Sequence, residues 1–127
     1  MTTAISTTSA PAAIGPYVQG VNLGNMVITS GQLPINPETK AMLDDVAEQA
    51  TQSLRNALAI VKEAGLDAKN IVKTTVFVKD LNDFARVNAA YEAFFKEHDA
   101  PFPARSCVEV ARLPLDAKVE IEVIASR

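Results

Sequence analysis

A chain of 127 residues, 48% hydrophobic and 21% charged, has the size of one domain with one core and is too apolar for disorder. Twelve Lys and Arg against fifteen Asp and Glu leave a net charge of −3 with no basic cluster, which excludes an electrostatic footprint for nucleic acid or an anionic membrane. The longest apolar run, Ala57-Leu58-Ala59-Ile60-Val61, is far too short for a transmembrane helix.

Residues 1–13 are small and polar and lack the basic start and apolar middle of a secretory signal. They read as a flexible arm before a single domain over 14–127, with the cytoplasm as the expected location. Two short strands are expected over 17–23 and 26–30, with Asn22-Leu23-Gly24-Asn25 as the turn between them. A loop rich in proline follows, 32–43. Asp45-Val46-Ala47-Glu48 is a capping box opening a helix, in which Ala47, Ala50, Leu54, Leu58 and Val61 form one stripe. Gly65 ends that helix as a left-handed cap.

The β-branched run over 71–79 predicts a strand with apolar groups on both faces: Val72, Val76 and Val78 on one, Ile71 and Phe77 on the other. Asn82 or Asp80 caps a second helix that turns Phe84, Val87, Tyr91, Phe94 and Phe95 inward. Pro101 and Pro103 lead into a strand over 105–110, and a connection around Pro114 leads to a last strand over 119–125. The order is β-β-α-β-α-β-β, an α+β chain with a mixed sheet and two helices on one face. The last two strands read as a hairpin across Pro114. The second sheet face also carries apolar side chains. Leaving roughly several hundred Å² of it in water would forgo about 10 kcal/mol, so an obligate oligomer with its sheets facing inward is expected.

The chemistry available is narrow. One cysteine, Cys107, and one histidine, His98, exclude an intrachain disulfide and a Cys/His zinc site from one chain. The five glycines form no nucleotide-binding fingerprint. No cofactor and no metal is expected. If Val108 and Val110 face the helices, alternation turns Arg105, Cys107 and Glu109 the other way, and Glu120 and Glu122 join them on that face.

Each candidate has two readings. Arg105 either pairs with Glu120 or Glu122 at an interface, or grips a ligand carboxylate through its guanidinium fork. Glu120 is a base toward water or a solvated carboxylate. Cys107 is a nucleophile without a neighbouring histidine, or an inert buried thiol. Asn88 contacts a ligand or bonds backbone. Tyr17 offers a hydroxyl to a cleft or packs in the core. Ser30-Gly31 permits close backbone approach to a ligand or makes a plain turn. His98 suits a helix C-terminus and needs no further role.

Five segments carry a family resemblance: Ala13-Ile14-Gly15-Pro16-Tyr17, Thr29-Ser30-Gly31-Gln32, Val76-Phe77-Val78-Lys79-Asp80-Leu81, Phe102-Pro103-Ala104-Arg105-Ser106-Cys107-Val108-Glu109-Val110 and Ile121-Glu122. Together they resemble the reactive intermediate deaminase (RidA) family, also called the translation-initiation-inhibitor or L-PSP family. The resemblance implies a chorismate-mutase-like fold and a homotrimer with clefts between subunits. It also implies a different strand order, with the final strand central and the Arg105 strand at the edge. The implied reaction is hydrolysis of short 2-imino acids or their enamine tautomers, such as 2-iminobutanoate, 2-iminopropanoate and 2-aminoacrylate, to 2-keto acids and ammonia. Pyridoxal-phosphate dehydratases acting on serine or threonine would release these substrates, a link to isoleucine biosynthesis. The implied site has Arg105 on the carboxylate and Glu120 orienting water, with Tyr17, Ser30, Gly31, Asn88 and Cys107 lining it. Relatives usually carry Thr-Gly in the loop over 33–43, where this chain has Thr39-Lys40. The competing functions are a metabolite-binding or chaperone-like regulatory trimer without turnover and, more weakly given the charge, a ribonuclease or translation inhibitor.

Overall fold

The computed structural model describes residues 2–127. Asp45 opens helix α1 (Val46–Glu63), its carboxylate accepting from the Glu48 N–H at 3.0 Å. The helix ends in a Schellman turn: the Gly65 N–H donates to the Lys62 carbonyl and the Leu66 N–H to the Val61 carbonyl. Gly65 sits at φ +87°, which glycine alone adopts without cost. Of the expected stripe of α1, Ala50, Leu54, Leu58 and Val61 are buried against the sheet and Ala47 is half-buried, while Ala57 and Ile60 join the buried face.

The sheet has six strands, one more than expected. They are β1 (Thr3–Ile5), β2 (Gly20–Asn22), β3 (Met26–Thr29), β4 (Ile71–Val78), β5 (Ala104–Glu109) and β6 (Val119–Ser126), in the order β1-β2-β3-β6-β4-β5. β1 lies within the segment read as a flexible arm. It pairs antiparallel with β2, and Ile5 is buried. The buried Gln19 side chain ties down the residues that follow. Its Oε1 accepts from the Thr7 N–H, and its Nε2 donates to the carbonyls of Thr7, Ala10 and Pro11. A short strand finishing on one β-branched residue is enough once a neighbouring strand satisfies its backbone. Met1 lies outside the described residues.

The expected hairpin of the last two strands does not form. β6 runs antiparallel between β3 and β4, and β5 pairs parallel to β4 at the sheet edge. This is the order the family resemblance implies. β6 is the most apolar strand on the helix side, with Val119, Ile121, Val123 and Ala125 all buried, and it takes the centre where both helices cover it.

Helix α2 (Phe84–Glu97) connects β4 to β5 and buries Val87, Tyr91, Phe94 and Phe95. Asp83 stands at its N-terminus without a side-chain cap, while Asp80 caps the preceding turn by accepting from the Asn82 N–H. Phe84, expected inward, lies at the exposed rim of the helix. A β-bulge between Ile71 and Lys73 reverses the expected faces at the start of β4: Ile71 is 2% exposed and Val72 is 48% exposed. The sheet face away from the helices presents Ile28, Val72 and Val108 to solvent.

Candidate functional site

β5 alternates with Arg105 and Cys107 toward the helices and Val108 toward the opposite face, where it is 44% exposed. This inverts the expectation that the valines of this strand face the helices. The reason lies in α2: its inward face ends at Arg105 in a slot walled by aromatic rings rather than in a space a valine could fill. The guanidinium carbon lies 4.9 Å from the Tyr91 ring centre and 5.5 Å from that of Phe84. Asn88 sits between them on the same helix face, four residues after Phe84 and three before Tyr91. Its Oδ1 accepts from Arg105 Nη1 at 2.6 Å. Asn88, Tyr91, Glu92, Phe102, Pro103 and Arg105 line an open groove of about 320 Å³.

Among the described residues no carboxylate forms a salt bridge with Arg105, so the pairing with Glu120 or Glu122 does not occur within the chain. The cation is oriented by two rings and an amide oxygen, none of which neutralises it. Its remaining N–H groups suit an anion with two acceptor atoms, such as a carboxylate.

Cys107 packs against the core beside Arg105. Burial pushes its thiol pKa up, against the opposing pull of Arg105, so the thiol stays protonated and poorly nucleophilic. His98 closes α2, with Nδ1 2.8 Å from the Phe94 carbonyl oxygen, and takes no part in this site.

The other candidates gather on the opposite face. Glu120 of β6 faces away from the helices, in the row of Phe77 and Val108. Burial pushes its carboxyl pKa up, and Glu122, two residues along the same face, adds to the rise. The Gln32 N–H donates to the Ile121 carbonyl and so draws Gly31 beside Glu120. A Cβ on Gly31 would lie 2.9 Å from Glu120 Cδ, so glycine here is what lets the carboxyl lie against the backbone. Ser30 is joined to the segment before β2: its Oγ donates to the Val18 carbonyl at 2.6 Å and its N–H donates to the Gln19 carbonyl. Tyr17 is exposed, and its hydroxyl accepts from the Ile14 N–H at 3.4 Å.

The loop over 33–43 closes on Asn36, whose side chain accepts from the Glu38 and Thr39 N–H groups. The buried Asn56 amide holds it by donating to the Leu33 and Ile35 carbonyls. Lys40 stands at φ +62°, the left-handed conformation that a glycine would take more cheaply.

The candidates therefore form two half-sites, Arg105–Asn88–Cys107 on one face and Ser30–Gly31–Glu120 on the other, with Tyr17 exposed next to Val18, the residue that Ser30 holds. In register, Arg105 lies beside Thr74 and Val123, whereas Glu120 lies beside Phe77 and Val108. That is three residues along the strands and two strands across, or roughly 10 Å in each direction, with the side chains on opposite faces. One chain does not bring Arg105 and Glu120 to a single small molecule. Sequence reasoning placed Phe84 and Tyr91 only in the core and gave Thr74 no role. The available signal was a threonine at an inward position of a valine-rich strand. Among the described residues no group of three or more His, Cys, Asp or Glu is placed to hold a metal, and no helix is long and apolar enough to cross a membrane.

The sequence profile of the family described as Endoribonuclease L-PSP matches residues 7–127. The 2-iminobutanoate/2-iminopropanoate deaminase of Salmonella typhimurium is 70% identical over 127 residues, covering 100% of this chain and 99% of that protein. Its Escherichia coli counterpart of the same name is 71% identical over the same length with the same coverage. Among solved structures, the YjgF gene product of Escherichia coli superposes with a TM-score of 0.97 at 70% identity, covering 98% of both chains. Escherichia coli TdcF with bound serine gives a TM-score of 0.97 at 58% identity, again covering 98% of both chains.

Proposed function

The chain belongs to the L-PSP family of reactive intermediate deaminases, and from that membership and the anatomy of its two half-sites we propose that it hydrolyses 2-iminobutanoate and 2-iminopropanoate to the 2-keto acids and ammonia. The observation that carries the reading is Arg105: a cation held in place by rings and an amide, yet left without a carboxylate partner. Every proposed substrate brings that carboxylate. The serine bound to TdcF is a ligand of the same kind, a small molecule with one carboxylate and one nitrogen on the adjacent carbon.

In this reading the active cleft lies between subunits of a homotrimer. Arg105 and Asn88 come from one protomer, and Glu120, Gly31, Ser30 and Tyr17 from its neighbour. The exposed apolar groups Ile28, Val72 and Val108 on the open sheet face support association through that face. The substrate carboxylate on Arg105 fixes C2 and removes orientational freedom from the barrier. Glu120 accepts a proton from water as the water oxygen bonds to C2, and the π pair of the C=N bond moves to nitrogen. That proton then passes to the nitrogen to give the carbinolamine, and Glu120 next takes the hydroxyl proton and hands it to the amino group as the C–N bond breaks, so that the C=O bond forms, ammonia leaves and the carboxylate is restored. A carboxylate whose pKa is raised by burial is a better proton acceptor than an ordinary glutamate. In this reading pyridoxal-phosphate dehydratases acting on serine and threonine release the substrates, and the protein works beside them in the cytoplasm.

The test is turnover of 2-iminobutanoate generated in place by a threonine dehydratase, followed as 2-oxobutanoate. No acceleration over spontaneous hydrolysis, with ligand binding intact, would leave a metabolite-binding trimer instead. Subunit mixing tests the cleft. Arg105→Ala and Glu120→Gln variants are each inactive, and co-refolded one to one they regain about one quarter of wild-type activity, because one cleft in four receives both native halves. No recovery would mean that both residues act from one subunit.

A further inference from the structure

Thr74 is fully buried in β4, at an inward position between the buried Ile71 before it and the buried Val76 and Val78 after it. A hydroxyl there costs stability unless it is bonded, and a valine of the same shape would cost nothing. Its Oγ1 lies 2.7 Å from the hydroxyl of Tyr91, itself only 6% exposed. Tyr91 carries the ring beneath the Arg105 guanidinium, and Thr74 is the direct strand neighbour of Arg105 in the parallel register. The one polar residue of this buried strand face thus grips the ring on which its neighbour's cation rests.

We propose that the Thr74–Tyr91 hydroxyl pair is a positioning device that sets the plane of the Arg105 guanidinium for a substrate carboxylate. The proposal rests on the reading of Arg105 as the carboxylate anchor and adds two residues to it. The hydroxyl pair stops the phenol ring from pivoting. The ring fixes the inner side of the guanidinium and Asn88 Oδ1 fixes one of its nitrogens. Phe84, on the outer side, lies farther from the cation and is exposed at the helix rim, so it cannot replace this support. Tyr91 also packs against Phe95, with ring centres 4.9 Å apart and planes tilted by 47°, which holds the body of the ring but leaves the hydroxyl end to Thr74. Burial pushes the Tyr91 phenol pKa up, so the hydroxyl remains neutral and can donate or accept in this pair.

A structural role and a positioning role separate in the double variant Thr74→Val/Tyr91→Phe. Both hydroxyls leave together, no buried polar atom is orphaned, and the shapes are kept, so melting temperature changes little. Positioning predicts that the affinity for 2-oxobutanoate, measured by calorimetry, falls about tenfold, because the anchor loses its preset plane. KM for 2-iminobutanoate rises by a similar factor, while kcat stays within about threefold. Thr74→Ser, which keeps the hydroxyl, retains wild-type affinity, and Thr74→Val does not. This second pair of variants gives the same answer if the double variant does not fold. Unchanged affinity and KM in a folded double variant, or equal affinity for Thr74→Val and Thr74→Ser, would overturn the proposal while leaving the deaminase reading intact. Wild-type protein that binds 2-oxobutanoate but does not turn over the imine would overturn the deaminase reading and leave the positioning result to be read from binding alone.

Discussion

Arg105 and Glu120 carry opposite charges and are held in opposite ways. Arg105 rests on two aromatic rings and is hooked by an amide oxygen at 2.6 Å. Glu120 has no such grip: among the described residues nothing hydrogen-bonds its carboxylate, and a glycine leaves it room. The difference fits two tasks. A group that must fix geometry gains from stiffness, because each frozen torsion is paid before the substrate arrives. A group that must exchange protons and water needs a raised pKa and freedom to move. Burial and Glu122 supply the first, and the absence of a hydrogen bond to the carboxylate among the described residues supplies the second.

Removing the stiff half should cost most. Arg105→Ala loses a charge-assisted contact of about 1.5 to 3 kcal/mol, roughly ten- to a few-hundred-fold in kcat/KM. Misorientation of C2 carries the loss beyond about a hundredfold. Arg105→Lys recovers little, since it keeps the charge but not the fork. Steady-state kinetics on folded protein decides this, and activity of Arg105→Ala within threefold of wild type would make the residue structural.

The free half is reached most gently through its glycine. Gly31→Ala puts a methyl 2.9 Å from Glu120 Cδ, and the carboxyl, at the end of a flexible side chain, is the part that moves. The fold should hold by circular dichroism, while kcat falls about tenfold and KM changes little, the mark of a lost transition-state contact. A normal kcat would show that Glu120 need not lie against this backbone.

The proton-transfer role is sharpened by pH. Glu120 works as a carboxylate, so kcat/KM is lost as pH falls through its raised pKa, and the acid limb of the profile lies above the ordinary glutamate value of 4.5. Glu122→Gln removes the like charge, and the limb moves to lower pH. A limb that stays in place would assign the proton to another group. The smallest effect belongs to Cys107. It shares the face of Arg105, but its thiol is held protonated, and Cys107→Ala should keep kcat/KM within about threefold. A loss as large as that of Arg105→Ala would point to covalent catalysis.

Both helices were legible in the sequence because their signals are local: Asp45 and Gly65 bracket α1, and the stripe from Ala50 to Val61 has the helical period. The pairing of β6 was not, because nothing within a few residues of Val119 says that β3 and β4 will flank it. Only the resemblance to a known family supplied that order. Alternation along β5 was read correctly as a pattern but assigned to the wrong faces, since valines mark the core only when a strand is covered on that side. At this edge the covered side holds an arginine against rings, and Val108 is left exposed. The bulge at Val72 had no mark in a run of β-branched residues. The family motif placed the site residues together, but only coordinates show that a single chain keeps them on two faces.

The position of β6 also has a consequence for synthesis. The strand that fills the middle of the sheet is made after both strands that border it, so β3 and β4 have no mutual pairing to fall back on. Until Val119–Ser126 emerges, the nascent chain holds two helices with no floor to pack on and a β4–β5 pair open along one side. Closure of the sheet therefore waits for this strand rather than proceeding element by element along the chain. A chain cut short before Val119 lacks the centre of its own sheet, and cellular proteolysis can tell it from one that carries the strand.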